Sequence, residues 1–292
     1  NAVSTALTAK MVYFYNSSEI QWELPFAGGS TWCSAGVTKN PLYVTLGEPL
    51  QPYTPGKYDG RELPKVRLFH TLVHNGCILA KGNSNPDDVL NSVWSDFEDR
   101  EVHRIDGTQM TYYASYQCVS TTTNTLLGTE EGDGQCGSWT RFFLDILKAQ
   151  SINYSMEYIT IAVNPNITDG AQFLFIKEWD YDENGGNSGN EDLPYINTFI
   201  GDYPPINNNS YDWVLADFID IEGTFGQGTS NPASIFGNHQ IALIKGMYYD
   251  PSYGKKYSSL LDFDVIAIEA YAKLELGQNE NTYLIKDNNP ST

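Results

Sequence analysis

The chain has 292 residues, 41% of them hydrophobic and 13% aromatic, which is enough apolar material for one large core or two ordinary ones. Its 36 acidic residues against 17 basic ones leave a net charge of -19, which repels nucleic acid and anionic membranes and argues against nucleic acid as a partner. No apolar run reaches the ~18 residues of a membrane-spanning helix.

The first stretch reads as strands, KMVYFYN, PLYVTLG and KVRLFHTLVHNGCILAKG, separated by the turn segments AGGS and TPGKYDG. A small β-rich domain over 1–82 is expected. NPDDVLNSVWSDFEDR then reads as a helix, with Asn85 as its cap, Pro86 in its first turn, and Asp87 and Asp88 at its positive end. Val89, Leu90, Val93, Trp94 and Phe97 form its apolar stripe. A second helix follows Cys136, its buried face marked by Trp139, Phe142, Phe143, Ile146 and Leu147. YITIAVN, FLFIKEW and WVLADFIDI read as strands, interrupted by polar segments at 180–192 and 202–212. HQIALIKGMYYDPSYG reads as a hairpin and FDVIAIEAYAKLEL as a closing strand. The class is α+β, with a second domain over 83–292.

Four cysteines occur, Cys33, Cys77, Cys118 and Cys136, with no CxxC pair that would hold structural zinc. Cys33 and Cys77, both in the first domain, are the pair expected for any disulfide. Cys136 stands apart. In EGDGQCGSWTRFFLDILKA it opens a helix, where free N–H groups and the helix dipole favour a thiolate. Gly132, Gly134 and Gly137 let the backbone turn tightly and let a substrate approach, and the Cys136 N–H is a candidate oxyanion donor. The competing local reading is a small buried thiol in a glycine turn.

A thiol nucleophile needs a base, and there are four histidines. His70 and His74 precede the first helix and read as packing or surface residues. His103 follows a charged helix end and reads as solvated. His239 opens HQIALI-KG-MYYDPS, two strands around a two-residue turn at Lys245-Gly246. In that register Ile244 faces Met247 and Ile241 faces Asp250. His239, Ile241 and Asp250 then share one face, with Asp250 diagonal to His239. A carboxylate there fixes the imidazole tautomer and stabilises its charged form. A one-residue slip would send Asp250 to the other face.

The order of Cys at a helix start, His on a strand and Asp after a short turn resembles the transglutaminase-like cysteine enzymes. LLGTEEGDGQC is similar to their approach to the nucleophile, RFFLDILKAQSINYSMEYITI to the helix and strand that follow, and NHQIALIKGMYYDPSYG to their His strand and Asp-Pro-Ser/Thr turn. The resemblance covers roughly 83–292. It implies a papain-like α+β core, with Cys136 as nucleophile, His239 as general base and Asp250 as its orienting partner. It further implies acyl transfer from an amide through a thioester, resolved by an amine or by water. The wide separation of Cys136 from His239 departs from the family's compact core and makes 180–192 and 202–212 insertions. Gln117 and Gln135 are both candidates for the family's oxyanion-supporting side chain. CGSW also resembles the papain nucleophile region, but Glu130 stands six residues before the cysteine where those proteases carry Gln, and they use an Asn partner where this chain has Asp-Pro-Ser-Tyr-Gly.

DYDENGGNSGNE, 180–191, matches a calcium-loop pattern in which Asp180, Asp182, Asn184 and Glu191 offer oxygens and Gly185 makes the turn. Asn187 occupies a position that an EF-hand fills with an apolar residue, and FLFIKEW before it reads as strand, which argues against an EF-hand. Two readings stay open: a solvated acidic insertion, and a calcium loop of another kind that orders it. The chemistry itself requires no cofactor.

The expected function is thiol-dependent acyl transfer on protein or peptide amides, as peptidase, amidase or transglutaminase. The rival from another class is a non-catalytic binding or adhesion protein on the same scaffold. NAVSTALTAK lacks both an initiator Met and a basic-then-apolar leader, as expected of a processed chain, and the expected setting is secreted or cell-surface.

Overall fold

A computed structural model describes residues 10–25, 31–50, 57–58, 61–62, 69–114, 118–129, 132–163, 172–176, 196–198, 201–202, 214–217, 224–230, 232, 235–274 and 282–287. Helices and strands are mixed along the chain, which is α+β. It divides into two compact units, Asn1–Ser95 with Asp145–Asn153, and Asp96–Leu144 with Tyr154–Thr292.

In the first unit β1 (Tyr13–Pro25) and β2 (Trp32–Val44) form a long antiparallel hairpin, from Tyr13 opposite Val44 to Pro25 opposite Trp32, with two register shifts. β3 (Lys57–Tyr58) and β4 (Arg61–Glu62) make a short pair. The segment expected as a third strand is instead helical: α1 spans His70–Leu79. Its buried residues Leu72, Asn75, Gly76 and Cys77 recur at helical spacing, without the alternation of a half-buried strand. The Tyr43 hydroxyl ties β2 to α1, lying 2.8 Å from His70 Nε2 and 3.0 Å from His74 Nδ1. The expected Cys33–Cys77 disulfide does not form. Cys33 is exposed on the hairpin, whereas Cys77 is buried, 3.6 Å from the Val44 carbonyl and accepting from Gln150 Nε2 at 3.4 Å.

α2 spans Pro86–Glu98. The Asn85 side chain accepts from the Asp88 N–H at 2.9 Å, and Val89, Leu90, Val93, Trp94 and Phe97 are all buried, as the sequence predicts.

The second unit opens with β5 (Thr111–Tyr112), paired in parallel with β6 (Asp133–Gly134). Between them α3 (Thr123–Gly128) begins at a reciprocal cap, Thr122 accepting from Thr125 N and Thr125 from Thr122 N. α4 (Cys136–Ala149) starts directly after β6. Phe97, Trp139 and Phe143 pack edge to face at 6.1 and 5.0 Å from Phe97, and the Trp139 indole donates to the Thr111 carbonyl at 3.0 Å. This anchor fixes the start of α4 against β5.

The remaining strands are β7 (Met156–Val163), β8 (Phe173–Ile176), β9 (Ile196–Thr198), β10 (Gly201–Asp202), β11 (Val214–Asp217), β12 (Ile235–Phe236), β13 (Asn238–Ile244), β14 (Met247–Asp250) and β15 (Lys255–Tyr257). They are followed by α5 (Leu260–Ala267), β16 (Ile268–Leu274) and β17 (Thr282–Asp287). One sheet runs β10-β9-β7-β13-β14-β15 and the other β11-β17-β16-β8-β12. The expected closing strand therefore begins as helix α5. Ser259 caps it, accepting from Asp262 N at 3.0 Å, and Phe263, Asp264, Ala267 and Ile268 are buried at helical spacing.

Candidate active site

Three side chains define the site, and each is placed by its element. Cys136 is the first residue of α4, so its N–H and that of Gly137 belong to the helix's orphan donors. Neither has an acceptor among the described residues. Gln135 sets this start. Its own N–H donates to the Ser120 carbonyl at 2.9 Å, its side-chain amide donates to the Cys118 carbonyl at 2.6 Å, and its carbonyl accepts from Ser138 and Trp139.

His239 lies on β13, between β7 and β14. The β13–β14 hairpin has the predicted register, with Ile244 opposite Met247 and Ala242 opposite Tyr249. Lys245 and Gly246 both take positive φ, 54° and 82°, as a type I′ turn requires. His239 Nε2 and Asp250 Oδ2 are 2.8 Å apart, and both side chains are fully buried. The other carboxylate oxygen, Oδ1, accepts from Ser252 N at 3.1 Å. The imidazole ring is walled by Phe236, Tyr253 and Phe263, with centroids 5.7, 5.6 and 6.2 Å away.

Burial alone lowers the His239 pKa. The Asp250 carboxylate, by charge and by hydrogen bond, raises it by more, and the ring is held up at about 10. The Cys136 sulfur adds to the upward push. Nδ1 nevertheless has no hydrogen-bond partner among the described residues, so the thiol acts on the ring by proximity rather than through a formed hydrogen bond. The Cys136 thiol instead meets Gln240 Oε1. A neutral imidazole with Nε2–H committed to a carboxylate and Nδ1 open beside a sulfur is arranged to take that sulfur's proton, and the raised pKa then holds the proton on the ring as an imidazolium paired with the thiolate.

Several residues here escaped the sequence reading. Gln240 is the neighbour of His239 on the opposite strand face, and its Nε2 donates to Asn238 Oδ1. Gln227 is fully buried and donates to both the Phe97 and Pro251 carbonyls, at 2.7 and 2.8 Å, which holds the turn after Asp250 in place. Tyr112, Tyr113, Tyr158 and Tyr253 all lie close enough to Cys136 for its charge to raise their pKa values, although burial is the larger cause in each. Gly132 takes φ 66°, the tight turn expected of it, and close packing adds a reason for the other two glycines. A Cβ on Gly134 would sit 2.3 Å from Ser138 Oγ, and one on Gly137 would sit 2.8 Å from Tyr158 Oη.

The oxyanion candidates fare differently. The Gln135 amide is committed to the Cys118 carbonyl, and Gln117 lies outside the described residues, as does Glu130. Asp180, Asp182, Asn184, Gly185, Asn187 and Glu191, the calcium-loop residues, also lie outside them. Among the described residues no group of three His, Cys, Asp or Glu is placed to hold a metal ion, and no helix is long and apolar enough to cross a membrane.

No protein-family profile matches this chain, and no curated protein or solved structure is significantly similar to it.

Proposed function

We propose that this protein is a thiol-dependent acyl-transfer enzyme acting on protein or peptide amides, built on a papain/transglutaminase-like core. The observation that carries this is the fully buried His239–Asp250 pair, whose ring keeps one nitrogen open beside a cysteine at the first position of a helix. Burying a histidine and a carboxylate together costs several kcal/mol before their attraction repays it, and hydrophobic packing would stabilise the core as well. Such a pair next to a thiol is better explained by chemistry than by stability.

The roles follow from the atoms. His239 Nδ1 takes the Cys136 proton, and the sulfur attacks the amide carbon. His239 then protonates the departing amine, and water or an amine resolves the thioester. Asp250 keeps Nε2 protonated and the ring oriented, and the Phe236, Tyr253 and Phe263 walls confine the ring. Hydrolysis is the preferred outcome, because no amine-acceptor motif is recognisable in the sequence.

The test is incubation of a casein substrate with a fluorescent primary amine. Amine incorporation reads crosslinking, new N-termini read peptide hydrolysis and released ammonia reads deamidation. At least one signal is expected from wild type and none from Cys136→Ala. A signal that survives in Cys136→Ala would overturn the proposal and favour the non-catalytic binding reading.

A further inference from the structure

We infer that Gln240 is a catalytic residue of this site, its carboxamide donating a hydrogen bond to the oxygen that becomes negative when the Cys136 sulfur adds to an acyl carbon. This rests on the acyl-transfer reading above. In the addition step the S–C bond forms and the carbonyl π pair moves onto oxygen. In the collapse step that pair returns, the C–N bond breaks, and His239 supplies the proton for the amine. Gln240 exchanges no proton, and its contribution is a donor placed where charge develops.

Four observations place it there. The Cys136 and Gly137 N–H groups lack acceptors among the described residues, so two donors already converge at the helix start. The Gln240 carboxamide lies over the same first turn: its Oε1 accepts from the thiol, and a Cβ on Gly137 would be only 3.5 Å from it. The root of the side chain is fixed relative to the nucleophile, because Thr140 Oγ1, one turn along α4, donates to the Gln240 carbonyl at 2.9 Å while the strand pairs Gln240 with Thr160. Finally, the Gln135 amide, the described alternative, is spent on Cys118.

In the resting site the carbonyl end of the carboxamide faces a thiol, which is a donor. Once the proton moves to His239 the sulfur is an acceptor only, and Oε1 is repelled. A half-turn about the last side-chain bond brings Nε2 round in its place, and Asn238, which now accepts from Nε2, is released. The same carboxamide thus covers a thiol that is only 4% exposed and uncovers it when the thiolate forms.

The experiment compares two reactions of Cys136 in wild type and Gln240→Ala, each located by peptide mass mapping. Acylation by p-nitrophenyl acetate passes through an oxyanion; alkylation by iodoacetamide displaces iodide at a tetrahedral carbon and makes none. Gln240→Ala is expected to slow acylation by at least tenfold and up to about 10³-fold, while alkylation stays as fast as in wild type or faster. Gln240→Glu, which cannot donate as a carboxylate, is expected to lose acylation likewise. Unchanged acylation in Gln240→Ala would overturn this inference and leave the acyl-transfer reading standing. Equal loss of both reactions would also overturn it, assigning Gln240 to the integrity of the thiol's surroundings. A wild type that alkylates but does not acylate would overturn both.

Discussion

Asp250 meets His239 through Nε2, so the nitrogen left for chemistry is Nδ1, and the tautomer is fixed by a contact on the far side of the ring. Removing the carboxylate charge tests this. In Asp250→Asn the ring pKa is expected to fall from about 10 toward the ordinary 6.5, or below it because the ring stays buried, as read by the pH dependence of its nitrogen resonances. Acyl transfer should fall by about 10²–10⁴-fold. The linkage sign is fixed by the upward shift. Stability from the charged His239 is complete below pH 6.5 and is lost as pH rises through about 10. Denaturant unfolding of wild type should therefore show declining stability between pH 7 and 10. The His239–Asp250 pair was legible in the sequence because strand alternation and a two-residue turn define a diagonal neighbour without tertiary information. Gln240 was not, because its contact with Cys136 depends on where α4 docks, and no local pattern encodes that docking.

At the scale of elements, the hairpin turn places Lys245 at φ 54°, a conformation that Asn tolerates better than Lys. Lys245→Asn is expected to raise the melting temperature by one or two degrees, about 0.5 kcal/mol, and Gly246→Ala to lower stability by about 1 kcal/mol. The α4 start allows a sharper test. Gly137→Ala would press its methyl against Tyr158 Oη, 2.8 Å away, and should cost about 1–3 kcal/mol. Adding Tyr158→Phe removes that oxygen and should recover most of the loss in a double-mutant cycle. Without recovery, the close approach to Tyr158 is not what holds a glycine at 137. The helices α2 and α4 were legible because their apolar residues recur cleanly at three and four. Segments 70–79 and 263–267 read as strands in the sequence because dense apolar runs fit either period; what decides between them is which residues find burial, as Leu72 and Asn75 do in α1 and Phe263 and Ala267 in α5.

For the whole molecule, a net charge of -19 makes each poorly solvated acid a cost to folding. Burial pushes Asp96 up to about 6; His103 pulls it back, and Asp99 and Glu101 push it further up. Its folded pKa thus exceeds the unfolded 3.8, and the associated stability is complete below pH 3.8 and lost as pH rises through 6. Asp96→Asn should then melt a few degrees higher than wild type at pH 8, on the order of 1 kcal/mol, and show no gain at pH 3.5. The thiols give the most direct test of the central claim. Burial pushes Cys77 and Cys118 up to about 11, whereas Cys33 is exposed and serves as an internal reference. The measurement is the rate of iodoacetamide labelling at pH 7, resolved by cysteine, in wild type and His239→Ala. Cys136 is expected to label at least tenfold faster than Cys33, to lose that advantage in His239→Ala, and to leave Cys77 and Cys118 unlabelled. If Cys136 labels no faster than Cys33, or is indifferent to His239, the thiol is a packing residue and the protein is not a cysteine enzyme.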